Sequence, residues 1–171
     1  MYLYCINIYE NGQKIASKKN LDKFGFFERK TIGEFMDFFS STLIKESTDN
    51  LFSVDEKSYR IHIFKKNDMA YAIITDQEYP DYCVRDIYMK VNKTNIDTVF
   101  SYYLHGAIND PLRQINNDIN ETKKIMISSI DKVLDRGEKL DILIEKSEDL
   151  GESSKRFLKR AKKLNSCCVV S

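Results

Sequence analysis

From Leu112 onward, steps of three and four residues in alternation land on Leu112, Ile115, Ile119, Thr122, Met126, Ser129, Val133, Arg136, Leu140, Leu143, Ser147, Leu150, Ser154, Phe157, Ala161 and Leu164. Eleven of these sixteen are apolar, four are small hydroxyl residues and one is arginine. Between them the chain is mostly Lys, Arg, Glu, Asp, Ser and Asn. A stripe this narrow, held over seven heptads, marks a coiled coil rather than the broad face of a globular helix. One helix cannot bury such a seam alone, so the pattern predicts partner helices.

Arg136 interrupts the seam. A guanidinium in a coiled-coil core is costly unless polar partners accept its five donors. In frame, it would specify register and partner, as buried polar residues do in coiled coils. The plain alternative is a slip of frame that leaves Arg136 on a solvated edge. Val133 and Leu140 hold the frame on both sides, and the downstream positions keep it.

The texture changes at "GAINDP", Gly106 to Pro111. This divides the chain into a domain over 1–105, a linker over 106–111, the seam-bearing motif over 112–165 and a tail over 166–171. In the first part, "YLYCINIY" and "QKIASKK" read as strands joined by a turn at Asn11-Gly12. Thr31 with Glu34 has the spacing of a capping box, so a helix is expected to start there. Ile32, Phe35, Met36, Phe39, Leu43 and Ile44 share one face of it. "SYRIHIFKK", a turn at Asn67-Asp68 and "MAYAIITD" predict a second hairpin, and a further helix is expected just after Pro80. The fold class is therefore α+β, an antiparallel sheet flanked by helices, followed by a long coiled-coil helix.

Twenty-seven basic residues against 26 acidic leave a net charge of +1, so nothing pulls the whole chain toward nucleic acid. No basic leader precedes an apolar run at the start, and no stretch is apolar enough to span a bilayer, so neither secretion nor a membrane helix is expected. Cys5 and Cys83 lie far apart and His62 and His105 are the only histidines, which suggests neither a disulfide framework nor a metal site. A reducing, cytoplasmic setting is the default.

"VLDRGEKLDILIEKSEDLGESSKRFLKRAKKLNSCC", with "FGFFERKTIGEFMDFF" and "ITDQEYPDYCVRDIY" upstream, closely resembles the lipid-anchored, longin-type R-SNAREs of the synaptobrevin superfamily. The segment between domain and motif is short here. The resemblance implies a longin domain over 1–105 and a SNARE helix that zippers with three glutamine-bearing SNARE helices. Arg136 would be the ionic-layer arginine meeting three glutamines, and the seam residues would form the stacked layers. Vesicle docking and membrane fusion, not catalysis, would be the outcome.

The final residues then acquire a use. Cys168-Val169-Val170-Ser171 fits the C-a-a-X pattern for prenylation, with serine favouring farnesyl. One lipid anchors only marginally, so Cys167 is expected to take a second, palmitoyl or prenyl. No cofactor is expected beyond these lipids. Lys155, Arg156, Lys159, Arg160, Lys162 and Lys163 would add attraction to an anionic leaflet. A vicinal disulfide or a chance tail are the bland readings. The resemblance also implies a closed form, on the Golgi, vesicle or endosomal cycle, in which the longin domain binds its own SNARE segment and shelters the lipid. Phe38, with Phe26 and Phe27, is the expected groove, while Phe35, Met36 and Phe39 at helical spacing read as core. Two rivals stand: a longin adaptor that recruits soluble partners without driving fusion, and an enzyme using Cys5 or Cys83 as nucleophile.

Overall fold

A computed structural model describes residues 1–104, 126–130, 133 and 140–166. Strands β1 (Leu3–Glu10) and β2 (Gln13–Lys19) precede helix α1 (Phe26–Glu46). Strands β3 (Leu51–Glu56), β4 (Tyr59–Lys66) and β5 (Met69–Asp76) follow, then helices α2 (Asp81–Lys90) and α3 (Ile96–Tyr103). Strand β6 (Met126–Ser129) and helices α4 (Leu140–Lys146) and α5 (Glu152–Ser166) complete the described elements. The sheet order is β2-β1-β5-β4-β3-β6. Every pairing is antiparallel except β3 with β6, which is parallel.

Three two-residue loops close the hairpins, between Glu10 and Gln13, Glu56 and Tyr59, and Lys66 and Met69. Asn11 and Gly12 have φ of 51° and 77°, the two left-handed residues that a turn matching strand twist requires. Lys57 and Asn67, also left-handed, open the other two turns.

Alternation divides the sheet into two apolar faces. Cys5, Phe52, Val54, Ile61, Ile63, Ala72 and Ile74 pack toward α1, where Met36 and Leu43 meet them. Leu3, Ile6, Ile8, Phe64 and Ile73 pack toward α2 and α3, against Val84, Ile87, Ile96 and Phe100. The sheet is thus the middle layer of three. A polar patch pins α1 to the β1–β2 edge. The Asn7 amide donates to Asp37 at 3.1 Å and to Ser40 at 3.2 Å, and Lys14 and Lys19 both reach Asp37.

Several expectations need correction. Helix α1 starts at Phe26, five residues before Thr31, because Glu28 turns back to accept the Gly25 N–H at 3.0 Å and closes the first turn there. Strand β3 was not expected, and the helix after Pro80 is two helices, interrupted where Asn92 and Asn95 bind local backbone N–H groups. The motif does not run as one continuous helix: residues 126–129 are a strand, and 147–151 separate α4 from α5. A lone chain offers no partner helices, so the seam finds apolar and backbone partners on its own domain instead.

Candidate functional site

The outer face of α1 carries the motif. Phe38 is 1% exposed and forms a buried cluster with Ile144 of α4 and with Leu150, bordered by Phe35, Leu140, Leu143 and Leu158. Ile130 is buried in the main core, and Val133 packs against the same core. Burying such side chains stabilises docking by about 2 kcal/mol each at the usual area coefficient. Further on, the Phe157 ring lies 5.8 Å from that of Phe35.

Polar contacts fix the register of this docking. The Ser41 hydroxyl donates to Asp149 at 2.7 Å. The Glu34 carboxylate accepts the Gly151 N–H at 2.9 Å, at the start of α5. It also bonds the buried Ser154 side chain. Burial alone would raise the Glu34 pKa; the bonds from Ser154 and Gly151, with Lys30 nearby, outweigh it and lower the group below its usual value. A carboxylate at a helix N-terminus meets the orphan N–H groups and the positive end of the dipole. Glu34 therefore caps not its own helix but α5, a role the Thr31/Glu34 spacing could not reveal.

At the other flank, β6 adds to the β3 edge, pairing Phe52 with Met126 through Asp55 with Ser129. The edge of a sheet holds unpaired backbone groups that a strand can cap. Below α5 an apolar cleft of about 370 Å³ remains open, lined by Phe35, Met36, Phe39, Tyr59, Phe157 and Leu158 among others. Three aromatic or sulfur side chains read as core thus border open space. Phe38, the expected groove residue, lies beneath α4 instead, where the docked segment covers it. Phe26 and Phe27 are 80% and 91% exposed and do not line this cleft, because they precede the turns of α1 that pack on the sheet.

The seam divides in the docked state. Leu150 and Ser154 are buried, Leu140, Leu143 and Ser147 half-buried, and Phe157 exposed. Ile144, off the seam, is among the most deeply buried residues of the segment at 1% exposure. Met126, Ser129, Ala161 and Leu164 are placed by their backbone. Leu112, Ile115, Ile119, Thr122, Arg136, Cys167 and Cys168 lie outside the described residues, as does the linker 106–111. Among the described residues no helix is long and apolar enough to cross a membrane. Cys5 and Cys83 are buried and in no disulfide. Burial pushes Cys5 up to about 12, so at neutral pH it is a thiol rather than a nucleophilic thiolate.

Comparison with known proteins bears on this arrangement. The synaptobrevin family profile matches residues 111–170. The synaptobrevin homolog YKT6 of Saccharomyces cerevisiae is 34% identical, with 99% of this chain aligned to all of it. The chain belongs to the synaptobrevin family. The Candida glabrata synaptobrevin homolog YKT6 is 35% identical over 94% of this chain and 91% of its own length. That of Schizosaccharomyces pombe is 31% identical, end to end on both. This synaptobrevin relative is accordingly a longin-type R-SNARE of vesicle trafficking, and its partners are other SNARE proteins. The six-stranded sheet flanked by helices is the longin-like α+β part of this family member.

Proposed function

We propose that this R-SNARE alternates between the docked form described above and a parallel four-helix bundle with three glutamine-bearing SNARE helices. In the bundle the seam from Leu112 to Leu164 supplies the layers, and Arg136 donates to three glutamine amides that hold register. Zippering buries apolar surface along the whole seam, and that free energy draws vesicle and target bilayers together. Farnesyl on Cys168 and a second lipid on Cys167 anchor the chain to the cytosolic face of Golgi, vesicle or endosomal membranes. In the docked form the cleft beneath Phe157 shelters the lipid, which keeps the chain in the cytoplasm until it is needed.

The observation that carries this reading is the contact of α1 with the motif. Phe38 covers Ile144 and Leu150, and Glu34 caps α5, so residues that would zipper are occupied by the chain itself. An adaptor would have no need to sequester a seam with this register. The test is fusion of vesicles bearing the lipidated chain with vesicles bearing its glutamine SNAREs. Fusion is expected, and Cys168→Ser is expected to abolish it and leave the chain unattached to membrane. Membrane attachment of Cys168→Ser at the level of the unaltered chain would contradict the anchor; docking without lipid mixing would favour the adaptor.

A further inference from the structure

Residues 126–129 sit where docking and zippering demand different backbones. In the docked form they are β6, parallel to β3. Phe52 pairs with Met126, Ser53 with Ile127, Val54 with Ser128 and Asp55 with Ser129. Directly after the strand, Ile130 is 4% exposed and joins the core cluster that holds Phe52, Val54 and Ile61. Three residues earlier, Ile127 is 49% exposed.

That pair reports the local backbone. Positions three apart share a face of a helix but lie on opposite faces of an extended chain. Ile127 and Ile130 differ in burial as an extended chain requires. The seam also steps by three here, from position 126 to position 129. Those two positions join one stripe only when 126–129 is helical. A strand at this point and a layered bundle therefore exclude each other, whatever becomes of α4 and α5. Local preference does not decide between them. Ile127, Ser128, Ser129 and Ile130 are two β-branched residues and two serines, none a strong helix former. The segments at α4 and α5 differ in this respect, because they are already helical while docked.

We propose that β6 is a strand-to-helix gate whose conversion sets the rate at which the chain enters a bundle. Zippering passes position 126 only after residues 126–129 unpair from β3, withdraw Ile130 from the core and rewind as helix. Each helical turn must be nucleated at the cost of fixing several backbone angles, and here a sheet ladder is given up first. This deepens the proposed function and rests on its bundle, but not on lipids. The control lies in secondary structure, apart from the side-chain contacts that hold α4 and α5 on α1.

Ile127 and Ser128 are off the seam, so both can be changed without altering a layer. Ile127→Ala with Ser128→Ala favours helix over strand, and Ser128→Val favours strand over helix. With the soluble helices of its glutamine SNAREs, the full-length alanine variant should assemble roughly fivefold faster than the parent. The valine variant should assemble roughly threefold slower. Hydrogen exchange of the β6 amides should rise in the first and fall in the second, while the α5 amides exchange as in the parent. Equal assembly rates in all three chains would overturn the gate. So would a rate change without altered β6 exchange, or one accompanied by altered α5 exchange, which would place the control in docking on α1. A parent that never assembles would contradict the bundle itself, whereas a parent that assembles at the variants' rate sinks the gate alone.

Discussion

Glu34 stands in the middle of one helix and holds the start of another. Its carboxylate accepts the Gly151 N–H and bonds Ser154, and Ser41 adds a second polar tie to Asp149. Glu34→Ala should weaken docking of α5 by about 1 kcal/mol, the usual worth of an N-cap. Hydrogen exchange of the α5 amides should rise while exchange in β1 and β5 stays as before; unaltered α5 exchange would remove Glu34 from this role. A second residue carries a pH prediction. His62 is fully buried; Thr75 donates to the Asp76 carbonyl at 2.9 Å and so accepts from His62 Nε2–H at 3.2 Å. Nδ1 then accepts the Ser53 hydroxyl at 2.8 Å. Burial, with Arg60 beside it, pushes the His62 pKa from 6.5 down to about 3. Below pH 6.5 the unfolded chain takes a proton that the folded chain refuses, so stability is complete above that pH and declines as pH falls toward 3. The slope from this group is about 1.4 kcal/mol per pH unit. Urea unfolding at pH 7, 6 and 5 should show that extra slope relative to His62→Gln; parallel pH profiles would contradict it.

At the scale of elements, the proposed cycle gives one segment two uses with different buried faces. Ile144 is covered by Phe38 in the docked form, yet it lies beside the seam, between Leu143 and Ser147. Ile144→Ser should therefore loosen docking by ~3 kcal/mol, roughly a hundredfold in population, while sparing the bundle. Assembly with glutamine SNAREs should become faster. Leu143→Asp should impair both, since it is a seam layer and also packs on the α1 cluster. Equal assembly rates for the parent and Ile144→Ser would separate docking from control.

How much of this was legible depended on range. The Asn11-Gly12 and Asn67-Asp68 turns are local chemistry and were readable, as was the apolar face of α1 through Met36 and Leu43. The true start of α1 was hidden because Gly25 has no side chain to announce a cap. Strand β3 is short and ends in acids, and its partner β6 comes from more than seventy residues away. The continuous seam predicted a continuous helix, but periodicity describes the face to be buried, not the partner that buries it. Ile144 and the second role of Glu34 carry no periodic signal at all; only the fold brings them to α1.

At the scale of the whole molecule, docking and zippering compete in the proposed cycle: the SNARE segment is either on its own longin domain or in a bundle, never both. The Ser41–Asp149 contact, 2.7 Å between side chains 108 residues apart, is the place to test it. With the tail cysteines replaced by serine and Cys5 and Cys83 left buried, Ser41→Cys with Asp149→Cys should form a disulfide in the isolated chain. The oxidised protein should fail to assemble with glutamine SNAREs and should assemble promptly once a reductant opens the bond. Assembly of the oxidised chain at the rate of the reduced one would contradict the claim, because the docked segment would then be no obstacle to zippering.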